Sequence, residues 1–270
     1  RIIDTNGLPL ILNDYMGEFN VDKNLDVSLV FFKDAIHHLA RICRIVRQPR
    51  GSALLVGVGG SGRHSLARLA AYINEYKCFE IEVTRNFKLQ QFREALKEQL
   101  LIAGCDNQPV VFLMSDSQIV DESMLEDLHN ILNTGEIAGL FQVEDIERIM
   151  TATRSRVKAL GKIETRDVIY RHFIHLLREN FHVVLCMNPI GKSFRNRLRM
   201  FPSLVNNCTI DWYSAWPDEA LYSVAKNTLG SIEMLKNDDI VLNSVCKLCV
   251  TVHQTVSDFS AKYLREDRKS

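Results

Sequence analysis

An α/β fold is predicted, with a five-stranded, mainly parallel sheet flanked by helices and followed by a small helical lid. Three observations lead there. Residues 51–70, GSALLVGVGGSGRHSLARLA, pass from an apolar strand pattern through a glycine-rich turn into helical periodicity. Four more strand patterns follow, with helical stretches among them, and that alternation favours parallel strands joined by crossover helices. Beyond Asp211 the strands stop and only helical patterns remain.

In chain order, residues 1–27 are mixed and turn-rich and predict a leader packed on the domain edge. Ser28 to Val46 predicts a long helix, with Phe32, Ala35, Ile36, Leu39, Ile42 and Cys43 on one apolar stripe. Gln48-Pro49-Arg50-Gly51 breaks it before the strand Ala53–Val56, and Leu66, Leu69, Ala70 and Ile73 then share a helix face. The further strands are predicted at Cys78–Val83, Val110–Ser115, His182–Met187 and Cys208–Asp211. Helices are predicted at Phe87–Ala103, Ser123–Asn133 and Val168–Asn180, with Ser123 and Glu126 spaced for a capping box. Pro217–Leu229 and Ile240–Lys262 complete the helical part, and the charged tail from Leu264 is expected to fray. The expected division is a leader at 1–27, a large α/β subdomain at 28–212 and a small helical subdomain at 213–270.

Composition narrows the function classes. With 33 basic and 33 acidic residues, no net field draws the chain to nucleic acid or to an anionic membrane. No apolar run is long enough to span a bilayer. The chain starts at Arg1 without a signal-peptide pattern, which predicts a piece of something longer. Seven irregularly spaced cysteines fit reduced thiols in the cytosol. Cys246, Cys249 and His253 lack a second ligand pair nearby and sit in a helical apolar pattern, so buried core thiols are expected; His172 and His175 are likewise expected in the core.

Chemistry concentrates at the glycine turn. Gly57 and Gly62 fit the glycines of G-x-x-x-x-G-K-[ST], a loop whose inward N–H groups and helix N-terminus suit a polyphosphate. Arg63 stands at the lysine position and His64 at the hydroxyl that normally reaches Mg²⁺; Ser65 comes one residue late, turned about 100° around the helix. Arg63 keeps the charge as a planar fork, which is not equivalent to an ammonium. The strand Val110–Ser115 ends in Asp116, suited to hold Mg²⁺ through water, but Ser117 follows where hydrolytic sites carry a water-orienting glutamate. Glu122 and Glu126 are expected to face solvent at a helix start. Asn188 ends another strand, as a γ-phosphate sensor or as a turn former before Pro189. Gly191-Lys192-Ser193 is no second loop, because Cys186 fills its first glycine position. Arg195, Arg197 and Arg199 alternate ahead of the last strand, as a solvated basic turn or as a finger toward a neighbouring module.

GSALLVGVGGSGRHSLARLAAYI, FLMSDSQIVDESMLEDLHNILNTGEIAGLF and FRNRLRMFPSLVNNCTIDWYSAWPDEAL together resemble the dynein heavy chain family. The closest resemblance is to the fourth P-loop AAA+ module of the motor ring in axonemal dyneins, over roughly residues 25 to 265. That resemblance implies ATP or ADP as ligand with weakly held Mg²⁺. It makes Gly57, Gly59, Gly60, Ser61, Gly62, Arg63, His64, Ser65 and Asn188 the nucleotide-binding residues, and Asp116 the metal residue. Arg197 and Arg199 become finger candidates, and the chain around Trp216-Pro217 is placed to close over adenine. Implied partners are the adjacent AAA+ modules, the microtubule through a distant stalk expected just beyond this chain, and dynein intermediate and light chains; neither nucleic acid nor membrane is expected. The implied location is the cytoplasm and cytoskeleton, in the axoneme of a cilium or flagellum. Arg63, His64 and Ser117 depart from the hydrolysing pattern. They predict a module that binds nucleotide with weak or no turnover and couples the main ATPase site to the stalk. The alternatives are a working ATPase and an empty structural module.

Overall fold

The computed structural model describes residues 7–25, 27–236 and 238–267. Its centre is a five-stranded, all-parallel sheet of β1 (Ala53–Val56), β2 (Lys77–Glu80), β3 (Val110–Ser115), β4 (Phe181–Met187) and β5 (Thr209–Trp212), ordered β2-β3-β4-β1-β5. Register is set by Ala53 beside Val184 and Thr209, and by Val110 beside Lys77 and Phe181. The three central strands are apolar along almost their whole length because helices cover both of their faces.

Alternate side chains serve two separate cores. Leu54, Val56, Phe112, Met114, Val183 and Leu185 point to one face, and Leu55, Val111, Leu113 and Val184 to the other. The second face is covered by α1 (Leu8–Lys23), α2 (Lys33–Val46) and α3 (Arg63–Ile73). The first face carries α4 (Leu89–Leu101), α5 (Ser123–Asn133), α6 (Val143–Ala159), α7 (Arg166–Asn180), α8 (Lys192–Met200) and the single turn α9 (Ser203–Asn206). Thus α3 leaves β1 toward one face while α8 leaves β4, its sheet neighbour, toward the other. Loops parting at adjacent strand ends open a crevice, which is where open α/β sheets bind ligands. Beyond β5, α10 (Asp218–Leu229), α11 (Glu233–Lys236) and α12 (Asp239–Asp267) form a helical group. Ala220, Leu242 and Cys246 are buried there, and Tyr222 Oη donates to Asn243 Oδ1 at 2.6 Å. Among the described residues no helix is long and apolar enough to cross a membrane.

Several local expectations change. Residues 8–23 are helical rather than turn-rich: Leu12, Met16 and Phe19 fall on one face, and Phe19 packs edge-on against Tyr72 with ring centroids 5.3 Å apart. α6 had no sequence assignment because charged residues dominate it, although Ile149, Met150, Thr153 and Val157 keep helical spacing on its buried side. The Ser123–Glu126 capping box does not form. Glu122 is the N-cap residue without a side-chain bond, and Asp121 Oδ1 instead accepts from the Ser123 N–H at 2.8 Å. His172 and His175 lie on the outer side of α7, half-buried and exposed respectively, with His175 3.4 Å from Glu179 one turn on. Cys246 is the buried thiol expected, whereas Cys249 is exposed, and all seven cysteines are free. α12 continues through Leu264 to Asp267, where fraying was expected; residues 268–270 lie outside the described residues.

Candidate functional site

The crevice is a cleft of about 860 Å³ at the carboxyl ends of β1, β3 and β5, roofed by the start of α2 and by α10. Gly59 to Ser65 form one side. Gly60 and Gly62 hold φ of 77° and 80°, the left-handed region where a Cβ is costly. Gly57 is buried below the loop. Its N–H donates to Met187 O at 3.1 Å, and a Cβ there would stand 2.7 Å from Tyr213 Cβ. Gly62 caps α3, so the N–H groups of Arg63, His64 and Ser65 have no intrahelical acceptor, and the first turn holds no acidic side chain. Ser61 Oγ is buried without a hydrogen-bond partner among the described residues. An orphan hydroxyl beside free N–H groups at a helix N-terminus fits a phosphate group.

The side chains around this loop are engaged internally. Arg63 is buried, with its guanidinium donating to Val58 O at 3.1 Å, to Leu55 O at 3.5 Å and to Met187 O. It therefore staples the loop to the ends of β1 and β4. His64 Nε2 lies 3.5 Å from Glu80 Oε2, and Glu80 also receives a two-pronged contact from Arg68. Burial lowers the His64 pKa despite the pull of Glu80, with Arg68 and Arg63 adding to the lowering, so the ring is neutral at pH 7. The site has no hydroxyl at the residue that would otherwise reach Mg²⁺.

Asp116 lines the cleft, and its Oδ2 accepts the Asn188 N–H at 2.9 Å. Asp116 Oδ1 has no hydrogen-bond partner among the described residues. Ser117 Oγ is 2.8 Å from Ser115 Oγ, and Gln118 ties the segment to the residue after β2 through Ile81 O at 2.7 Å. Asn188 forms no part of the cleft lining, and its Oδ1 accepts the Ile190 N–H at 3.0 Å, as a turn former does. Trp216 lines the cleft edge-on to Phe32, 5.4 Å between centroids, and Pro217 is the N-cap residue of α10.

The family model for the P-loop containing dynein motor region D4 matches residues 27–270. The chain belongs to the dynein heavy chain family. It is 46% identical over 260 residues to human dynein axonemal heavy chain 6, covering 96% of this chain and 6% of that protein. It is 49% identical over 236 residues to the dynein-1-beta heavy chain of the Chlamydomonas reinhardtii flagellar inner arm, covering 87% of this chain and 5% of that one. Mouse dynein axonemal heavy chain 1 is 44% identical over 256 residues, 95% of this chain and 6% of that one. This dynein region thus spans about a twentieth of the relatives it matches.

The two finger candidates of this dynein region differ sharply. Arg197 is held by Glu122, with Nε and Nη2 each 2.9 Å from Oε1, and its side chain keeps only 16% exposure. Arg199 is exposed and makes no ion pair among the described residues. Sequence reasoning missed one wall of the cleft, formed by His38, Arg41 and Tyr213 with the buried Asp211 behind them. A histidine beside an apolar helix stripe and a carboxylate inside a strand carry no local signal; their meeting depends on α2 lying against β5.

Proposed function

We propose that this dynein region holds an adenine nucleotide, ATP or ADP, in the cleft with weak or no hydrolysis. It serves as a regulatory element between the main ATPase site and the stalk of an axonemal motor. The observation that carries this reading is the internal commitment of the catalytic positions. Arg63 is occupied by main-chain carbonyls, His64 by Glu80 and Ser117 by Ser115, while the free N–H groups of α3 and the Ser61 hydroxyl remain open for phosphate. A serine hydroxyl is a poor proton acceptor at neutral pH, so no group at position 117 orients or deprotonates a water. Mg²⁺, when bound, would neutralise phosphate charge; Asp116 Oδ1 is the group that would hold it, without help from position 64. In the complete motor the partners are the adjacent AAA+ modules, intermediate and light chains, and the microtubule through the stalk. The family relationship supports these partners and an axonemal location in a cilium or flagellum.

The test is to incubate the protein with ATP and Mg²⁺, remove free nucleotide, denature it and identify what was retained. Unhydrolysed ATP after long incubation, or ADP retained at a fixed stoichiometry, is expected. ADP accumulating with time, and abolished by Asp116→Ala, overturns the reading in favour of a working ATPase. An empty protein overturns it in favour of a structural module. A His64→Thr, Ser117→Glu double substitution is expected to raise hydrolysis by restoring both missing groups.

A further inference from the structure

The wall formed by His38, Arg41 and Tyr213, backed by Asp211, matches no phosphate or metal motif. The Asp211 side chain is fully buried; its Oδ2 meets His38 Nδ1 at 2.7 Å, and its Oδ1 accepts from Arg41 Nη1. A carboxylate balanced by a guanidinium only accepts hydrogen bonds, so Asp211 selects the His38 tautomer with hydrogen on Nδ1. With the Nδ1 hydrogen directed at Asp211, Nε2 is the ring nitrogen left to meet a ligand. Nε2 has no hydrogen-bond partner among the described residues, and the partly exposed His38 ring lines the cleft. The ring is also fixed in orientation, stacked on Tyr213 at 3.8 Å between centroids and 10° between planes.

The same Tyr213 abuts the phosphate loop through its close approach to Gly57. One rigid unit therefore joins the loop that suits phosphate to an oriented imidazole acceptor in the same cleft. We propose that His38 reads the nucleoside half of the bound nucleotide, its Nε2 accepting a hydrogen bond from the base amino group or the ribose 2′-hydroxyl. The inference rests on the nucleotide-binding reading above, and it names a specificity-determining residue that the loop motifs do not contain.

Equilibrium binding of ADP, inosine diphosphate and 2′-deoxyadenosine diphosphate tests it, the two analogues lacking the base amino group and a ribose hydroxyl respectively. The wild-type protein is expected to bind ADP about tenfold more tightly than one of the analogues, the usual scale for one lost hydrogen bond in a buried site. That analogue identifies the donor. His38→Phe keeps the stack on Tyr213 without the acceptor and is expected to reduce ADP binding to the analogue's level. Equal wild-type binding of all three ligands overturns the inference, as does a His38→Phe protein with the wild-type preference intact. The wild-type comparison stands alone if His38→Phe fails to fold. If the wild type binds none of the three, the nucleotide-binding reading itself falls, a different result from binding without preference.

Discussion

Arg63 distinguishes a staple from a ligand-binding side chain. If it staples the loop, Arg63→Met weakens the protein with no nucleotide present. Three donations are lost, but the one to Leu55 O is long at 3.5 Å, and Met187 O keeps the Gly57 N–H at 3.1 Å. Val58 is 46% exposed, so water can reach its carbonyl. Two good charge-assisted bonds at about 1.5–3 kcal/mol each, discounted for those replacements, leave a net cost of about 2–4 kcal/mol. For a domain of this size that is on the order of 10 °C in Tm, readable by calorimetry or urea unfolding on nucleotide-free protein. Arg63→Lys is expected to fall between, because an ammonium reaches fewer of the three carbonyls but is free to meet phosphate. An Arg63→Met protein as stable as wild type without nucleotide, yet weakened about tenfold or more in nucleotide binding, would refute the staple and make Arg63 a phosphate ligand.

Other consequences follow from packing and titration. Gly104 lies in a π-helical turn, and a Cβ there would stand 2.3 Å from Phe173 Cε2 in the core. Gly104→Ala is expected to cost about 1–3 kcal/mol, and Phe173→Leu in the same protein should make the pair cost less than the sum, as a double-mutant cycle will show. Burial holds the pKa values of His64, His172 and His182 below their ordinary 6.5. The unfolded chain therefore takes up these protons first. Stability is full above pH 6.5 and falls as pH drops from there toward the folded pKa values. Urea midpoints at pH 7.5 and 5.5 should show that loss, and His182→Gln should shrink it; equal midpoints would exclude it. Arg197→Ala is expected to lower stability by up to about 1 kcal/mol through its contact with Glu122, whereas exposed Arg199→Ala leaves it unchanged. A matching loss in both variants would remove the distinction between them.

The parallel sheet and the phosphate loop were legible because their signals are local. Ala53–Val56 running into Gly57–Gly62 and then a helical stripe allows few other conformations, and the apolar runs of β3 and β4 mark strands buried on both faces. Asp116 and Ser117 were legible for the same reason, each tied to the end of such a run. α6 was missed because charge obscured its stripe, and α1 because exposed Leu10, Ile11 and Val21 blur the stripe of Leu12, Met16 and Phe19. The capping box at Ser123 failed on a one-residue competition, with Asp121 reaching the helix N-terminus first.

By itself, the sequence determined which residue types stand at the loop and strand ends, and so the absence of the lysine, the metal hydroxyl and the glutamate. Tertiary structure alone decided what the replacements do. Arg63 turns inward because the ends of β1 and β4 offer carbonyls that no local side chain satisfies, and His64 turns to Glu80 because β2 lies two strands beyond β4 in the sheet order. His38 and Asp211 are 173 residues apart, and only the seating of α2 against β5 brings Asp211 behind the His38 ring at the cleft. Backbone periodicity is written in neighbouring residues, while a side chain's partner is set by which distant elements the core brings together.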